Sequence, residues 1–319
     1  MQSKYQIIEA VVNISEGQNQ EFINALTAFI NNIDNVAVVH VDVGFDANRT
    51  VLTLIGEVEA VFEGVEVIIN YSTKQLDIDM HHGEHPRQGI VDVIPFIALE
   101  GITHEELLFL AKERLEEIGR SHSLPILYYG DLSQSGDIAL FHLRKWNMKE
   151  DLGTTVYADV GPQVYHPTLG VSCATVRKLM TAYNMNLQSK DLAVAKKIAR
   201  DLRALRQSKD QSQTLDTTEV RYLAWYMEDY DCCQISTNVY DVEAVSLSAL
   251  YDHVAEVASR YDVQLQGSEL IGLVSRKAIA KEGEALSEAL EKLRLDSVRP
   301  FDLSSQILEE IISRLTWAN

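Results

Sequence analysis

Cysteine is scarce here: Cys173 and the adjacent pair Cys232 and Cys233 are the only three in 319 residues. An odd, sparse set without C-x-x-C spacing argues against a disulfide framework or a structural zinc site. Cys232 and Cys233 alternate on an expected strand, which makes at least one of them core filler rather than a nucleophile. Long apolar runs are missing, so no span of a bilayer is expected, and the N-terminus lacks a charged flank followed by an apolar signal segment. A cytoplasmic protein with no membrane partner is the expectation. Basic charge is in deficit, 28 Lys and Arg against 47 Asp and Glu, a formal net charge of −19. That balance speaks against a nucleic-acid partner, and any anionic substrate must be met by locally placed cations. Arg49, Arg87, Arg177 and Lys178 stand beside unusual sequence and are the candidates. Also absent are G-x-G-x-x-G, G-x-x-x-x-G-K-[ST] and G-x-S-x-G, which disfavours nucleotide-driven and serine-hydrolase chemistry.

What the chain does have is a knot of histidine. His81-His82-Gly83-Glu84-His85-Pro86-Arg87-Gln88-Gly89 places three of nine histidines, a carboxylate and an arginine within seven positions. Histidine titrates near neutrality, so such a cluster suits proton transfer at working pH. Gly83 and Pro86 oppose a regular helix or central strand and point to a shaped loop. His81, Glu84 and His85 also spell H-x-x-E-H, an inverted zinc-protease signature. Its two histidines must share a helical face, which Pro86 and Gly83 disfavour.

Periodicity predicts a strand over 5–14, a helix over 19–32, strands over 35–43 and 49–56, a helix over 57–72 and a strand over 90–98. That order is the split βαβ, or ferredoxin-like, unit. A helix at 103–121 and a short strand at 125–129 extend it, while 130–160 lacks steady periodicity. The plan repeats as a strand over 178–187, a helix over 190–206, strands over 219–228 and 232–241, a helix over 245–260 and a strand over 263–273. Residues 280–319 read as helices. The expected fold is therefore α/β (α+β): two tandem ferredoxin-like βαββαβ subdomains with extra helices, divided as 1–179 and 180–319, with a ligand groove between them. The histidine loop and the segment 161–170 could both line that groove. Several polar residues sit at strand ends: Asn13, Glu16, Asp42, Asn48 and Arg49. Asn184 and Asn186, alternating on one strand face, suit a planar heterocycle rich in donors and acceptors.

At these residues the chain resembles the glutamate formimidoyltransferase family, found as the formiminotransferase part of formiminotransferase-cyclodeaminase and as stand-alone bacterial members. The resemblance runs nearly the whole chain, through Asn13 to Gly17, Asp42 to Gly44, Asn48 to Val51, Gly83 to Arg87, Asp92 to Phe96, Gly161 to Gly170, Ala182 to Leu187, Gln234 to Asn238, Gly267 to Leu273 and Leu295 to Phe301. G-E-H-P-R followed by D-V-x-P-F is close to a signature. The chain departs from the pattern at Val12 and Ile14, at Ser275-Arg276 and over 131–158, and it ends where a cyclodeaminase half would begin.

The resemblance implies His85 as the catalytic residue, tetrahydrofolate as co-substrate, no metal, and a homodimer. It assigns folate binding to Gly161, Pro162, Gln163, Val164, Tyr165, His166, Pro167, Thr168, Leu169 and Gly170. The implied reaction moves the formimidoyl group of N-formimino-L-glutamate to N5 of tetrahydrofolate. One histidine can take the proton from N5 and return it to the departing glutamate nitrogen. Asp42 or Glu84 would orient it or stabilise the amidine, with Asn13 nearby, and Arg49 or Arg87 would hold a substrate carboxylate. His81 and His82 should matter less than His85. Alternatives stay open: formyl transfer between 5-formyltetrahydrofolate and glutamate, a metal-dependent hydrolase built on His81, Glu84 and His85, or a folate-binding protein without turnover.

Overall fold

A computed structural model describes residues 5–45, 47–83, 86–134, 138–207, 217, 220–228, 230–242, 245–280, 285–297 and 301–315. The chain divides into two compact units, one reaching residue 178 and the other running from 179 to 315.

The first unit contains β1 (Ile7–Ile14), α1 (Gln20–Ile30), β2 (Val36–Gly44), β3 (Arg49–Glu57), α2 (Val58–Gln75), β4 (Val91–Glu100), α3 (His104–Ser121), β5 (Ile126–Tyr128), the short helices α4 (Leu140–Leu143) and α5 (Met148–Asp151), and β6 (Ser172–Val176). Its sheet order is β2-β3-β1-β4-β6-β5. The first four strands are antiparallel and follow the ferredoxin-like order; β6 and β5 add on in parallel. Strand alternation in β1 sends Ile8, Ala10, Val12 and Ile14 into one apolar cluster. The helices meet them there with Phe22 and Leu26 from α1, Phe62 and Ile69 from α2, and Leu115 and Ile118 from α3. Local chemistry sets the helix starts. The Asn19 side chain accepts from the Phe22 N–H, and Thr103 with Glu106 forms a capping box on α3.

The second unit contains β7 (Thr181–Leu187), α6 (Leu192–Gln207), β8 (Val220–Met227), β9 (Cys232–Val239), α7 (Leu247–Ser259) and β10 (Leu265–Ile271). Four short helices follow: α8 (Arg276–Ile279), α9 (Leu286–Leu293), α10 (Leu303–Gln306) and α11 (Leu308–Arg314). Its antiparallel sheet runs β10-β7-β9-β8, the same ferredoxin-like order. Tyr183, Met185 and Leu187 enter the core with Ile198 and Leu202 of α6 and Val254 of α7. Asn184 and Asn186 therefore face the other way. There Gln234 Nε2 donates to Asn186 Oδ1 (2.6 Å) and to Glu269 Oε1 (2.8 Å), Tyr230 donates to Glu269 Oε2 (2.9 Å), and Trp225 Nε1 donates to Gln234 Oε1 (2.9 Å). Cys232 and Cys233 are both buried, as is Cys173.

Both βαββαβ units follow the expected plan, with one difference in the strands. The run predicted over 178–187 is β7, which begins at Thr181, and ahead of it lies β6, a strand not expected from the sequence. β6 is short and wholly buried, and it pairs in parallel with both neighbours, so no hairpin turn marks it in the sequence.

Within β1, Glu9 is buried, and burial lifts its carboxyl pKa from 4.5 to about 7, opposed by the Arg177 charge. The folded state thus holds this proton more tightly than the unfolded chain. The associated stability is fully present below the unfolded pKa and is lost as pH rises through the folded one. Glu9→Gln, which imitates the protonated carboxyl, should match the parent near the ordinary carboxylate pKa and exceed it at mildly alkaline pH by at most about 3 kcal/mol. Urea denaturation at the two pH values checks this, and equal differences at both would refute it.

Candidate functional site

After α2 ends, the backbone turns at Asp77, whose carboxylate accepts from the Asp79 N–H (2.9 Å), and the chain runs through the histidine loop to β4. The described part of this loop is not helical at His81, His82 or Gly83. Glu84 and His85, the expected auxiliary and catalytic residues, lie outside the described residues. The flanks are closely tied. The His81 ring is buried, with Nε2 2.8 Å from the Asn48 carbonyl oxygen. Asn48 Nδ2 donates to the His82 carbonyl (2.8 Å), and Arg87 Nη2 donates to the His81 carbonyl (2.7 Å). Gly83 is required by space, since a Cβ there would lie 2.5 Å from the Ala47 carbonyl oxygen.

Beyond the loop, β4 presents Asp92, completely buried. Its Oδ2 accepts from Arg49 Nη1 (2.7 Å) and Arg144 Nη2, and its Oδ1 from Arg144 Nη1 (2.8 Å) and the Gln88 N–H (2.8 Å). Arg49, at the start of β3, also donates through Nε and Nη2 to Asn13 Oδ1 at the end of β1 (3.2 and 2.8 Å). Among the described residues, two guanidiniums on one carboxylate leave an excess of one positive charge. Burial alone would raise the Asp92 pKa; the Arg144 hydrogen bonds and the Arg144 and Arg49 charges reverse this and hold it below the ordinary carboxylate range. Burial lowers the pKa of Arg49, against the pull of Asp92, whereas for Arg144 the Asp92 bonds outweigh burial and raise it. The irregular segment that supplies Arg144 is fixed by a small apolar cluster in which Leu143, Met148 and Leu152 pack with Leu127, Val171 and Cys173. Gln88 completes the attachment by donating to the Leu143 and Trp146 carbonyls (2.9 and 3.2 Å).

The expected folate segment lies against the histidine loop. Ile78 N–H donates to Thr168 O (2.8 Å), Ile90 N–H to Leu169 O (2.8 Å) and Val171 N–H to Gln88 O (3.0 Å), with Gly89 opposite Gly170. A Cβ on Gly89 would fall 2.4 Å from Val171 O and one on Gly170 2.6 Å from Gln88 O, so the two strips approach as only glycine permits. Within 161–170 several side chains hold the loop itself. Gln163 bonds both the N–H and the carbonyl of Ala158, and His166 Nδ1 accepts from the Thr168 and Leu169 N–H groups. Leu169 is core. Gly161 and Gly170 both have positive φ, and Val164 is exposed. Tyr165 reaches an open cleft of about 450 Å³ bounded also by Pro86, Arg87, Gln88, Arg144, Trp146 and Lys149. Lys149 lies over the Tyr165 ring (5.5 Å) and pairs with Asp79. Among the described residues Arg87 donates to the His81 and Gly83 carbonyls and pairs with no carboxylate. A second cleft, about 570 Å³, lies beside Glu16, Asn48, Asp77 and His81.

Thus Asn13 and Arg49 share one cluster, Arg87 borders the same cleft as Arg144, and Asp42 stands exposed on edge strand β2, lining neither cleft. Sequence reasoning gave no role to Asp92, Gln88, Arg144, Trp146 or Lys149. Asp92 did carry a signal, a carboxylate inside the apolar run 90–98. Arg144 carried none, because its segment has no periodicity.

A family model for the formiminotransferase domain, N-terminal subdomain, matches residues 7–177, and one for the formiminotransferase domain matches residues 182–313. The chain is 31% identical over 327 aligned positions to a formimidoyltransferase-cyclodeaminase of Mus musculus, covering 96% of this chain but 60% of that protein. It therefore spans about three fifths of that relative's length. It is 32% identical to a glutamate formimidoyltransferase of Streptococcus pyogenes serotype M1, covering 95% and 97% of the two chains. A glutamate formimidoyltransferase of Thermoplasma acidophilum is 31% identical, with 90% and 98% covered.

The buried charges make Asp92 the residue on which the cluster stands. Asp92→Asn should leave two buried guanidiniums uncompensated and cost roughly 3–5 kcal/mol in urea unfolding. Adding Arg144→Met should return part of that loss, because one stranded charge goes with it. An Asp92→Asn protein of parental stability would show that the carboxylate does not hold the cluster.

Proposed function

Because the chain belongs to the formiminotransferase family, we propose that it transfers the formimidoyl group of N-formimino-L-glutamate to N5 of tetrahydrofolate and releases L-glutamate. The observation that carries this reading is the backbone seam joining the histidine loop to segment 161–170 beside a cleft with two arginines. In the reaction a bond forms between N5 and the amidine carbon and the bond from that carbon to the glutamate nitrogen breaks. A proton leaves N5 and one arrives on the glutamate nitrogen. Position 85 is the proton carrier in this reading, with Glu84 as its neighbour.

The geometry also divides the arginines. Among the described residues Arg49 bonds Asp92 and Asn13, while Arg87 bonds backbone carbonyls and no carboxylate. Arg87 is therefore our choice for a donor carboxylate, with the positive excess of the Asp92 cluster behind it. Trp146 and Tyr165 give the same cleft flat apolar faces suited to an aromatic ring system. Gln163, His166 and Leu169 serve folate by shaping the 161–170 loop rather than by reaching out of it. Asp42 keeps an auxiliary role only if substrate extends to the β2 edge. The reading assigns the proton transfer to residues 1–179, with 180–319 as the second subdomain, and includes a cytoplasmic homodimer without bound metal. No described helix is long and apolar enough to cross a membrane.

His85→Ala should fold, bind a folate analogue and lose roughly 10²–10⁴ in kcat. Absorbance of 5,10-methenyltetrahydrofolate, formed through a separate cyclodeaminase, follows the turnover. Near-parental kcat in that variant would remove His85 from the chemistry. A chelator should leave the rate unchanged; activity that vanishes on chelation and returns with zinc would instead favour the hydrolase reading of His81, Glu84 and His85.

A further inference from the structure

Three stretches of chain meet at Asn48: the end of β1, the β2–β3 hairpin and the histidine loop. Asn48 has φ +45, a conformation that Asn tolerates better than most residues. It uses every polar group it has. Its side-chain oxygen accepts from the Gly17 N–H (2.8 Å), its amide nitrogen donates to His82 O (2.8 Å), and its own N–H donates to Phe45 O (3.1 Å). Its carbonyl receives His81 Nε2 at 2.8 Å. A carbonyl oxygen can only accept, so Nε2 carries the ring proton. The other nitrogen, Nδ1, is buried with no hydrogen-bond partner among the described residues. A second proton there would be a charge without an acceptor.

The surroundings act in the same direction. Burial chiefly disfavours the imidazolium, and the Arg87 and His82 charges add to it; the Asn48 bond and Glu16 oppose them without prevailing. From the far side Arg87 grips the His81 carbonyl, so ring and backbone of one residue are held against two different partners.

We propose that His81 is a positioning residue for the transfer reaction: a neutral imidazole, fixed as the Nε2–H tautomer, that latches the start of the loop carrying Glu84 and His85 onto the β2–β3 hairpin and exchanges no proton with substrate. The kinetic part of this inference rests on the transferase reading above; the tautomer does not.

Two substitutions separate a latch from a proton carrier. His81→Gln places an amide N–H near the position of Nε2 and can donate to Asn48 O, but it cannot shuttle protons. His81→Leu fills the space and leaves that carbonyl unpaired. The glutamine variant should keep most of kcat and the parental pH profile. The leucine variant should lose kcat on the order of 10²-fold through misplacement of the loop, with KM for tetrahydrofolate nearly unchanged. Nitrogen-15 spectra of labelled imidazoles in the wild-type protein, with the His81 resonances identified by their loss in His81→Gln, should show a single Nε2–H tautomer across the range in which exposed histidines titrate. A folded His81→Gln protein as inactive as His81→Leu would overturn the proposal, because the ring itself would then be needed. Full activity in His81→Leu would overturn it by making the bond idle. A His81 ring that titrates with the exposed histidines, or holds its proton on Nδ1, would overturn it even if the wild-type protein turned over no formimidoyl donor. That last result alone, with the tautomer as stated, would reject the transferase reading and leave the latch standing.

Discussion

A carboxylate with no access to water stays ionised only if its surroundings repay the lost hydration, and at Asp92 two guanidiniums and a backbone N–H do so. Much of the candidate site depends on that one constraint. Arg49 ties β3 to β1 through Asn13 while reaching Asp92 on β4. Arg144 brings an otherwise aperiodic segment to the same point, and the Gln88 N–H fixes the exit of the histidine loop. Four pieces of chain far apart in sequence thus share one anion. Counted over the described residues, this cluster keeps one positive charge in excess within a protein whose formal net charge is −19, so its local field opposes the global one.

The architecture was legible because its signals are local. Apolar periods of 2 and 3.6, helix caps such as Asn19 and Thr103, and turns between strands follow from nearby residues, and they suffice to order β1 to β4 and β7 to β10 as two βαββαβ units. β6 escaped because its pairing is parallel and long-range, and its neighbours in sequence give no turn to announce it.

The site was legible only in part, for a related reason. The histidine loop and the 161–170 segment are conspicuous in composition, and Arg49 stands out beside its turn. Their joining is not visible, since the seam consists of main-chain bonds whose donors and acceptors every residue possesses. By spacing alone, Asn184 and Asn186 suit a heterocycle rich in donors and acceptors. They face away from the core as expected, yet each bonds protein groups, Asn186 receiving Gln234 and Asn184 approaching Glu269. Side-chain partners across three strands cannot be inferred from the spacing on one.

The glycine-to-glycine approach at positions 89 and 170 bears on how such a site withstands drift. A junction built from peptide groups stores its shape in the backbone, where substitution of flanking side chains leaves the bonding atoms in place. At the crossing itself, two glycines bear the steric demand, and the bonds around them ask for no particular side chain. A change of side chain beside these bonds therefore leaves the two stretches of polypeptide in register.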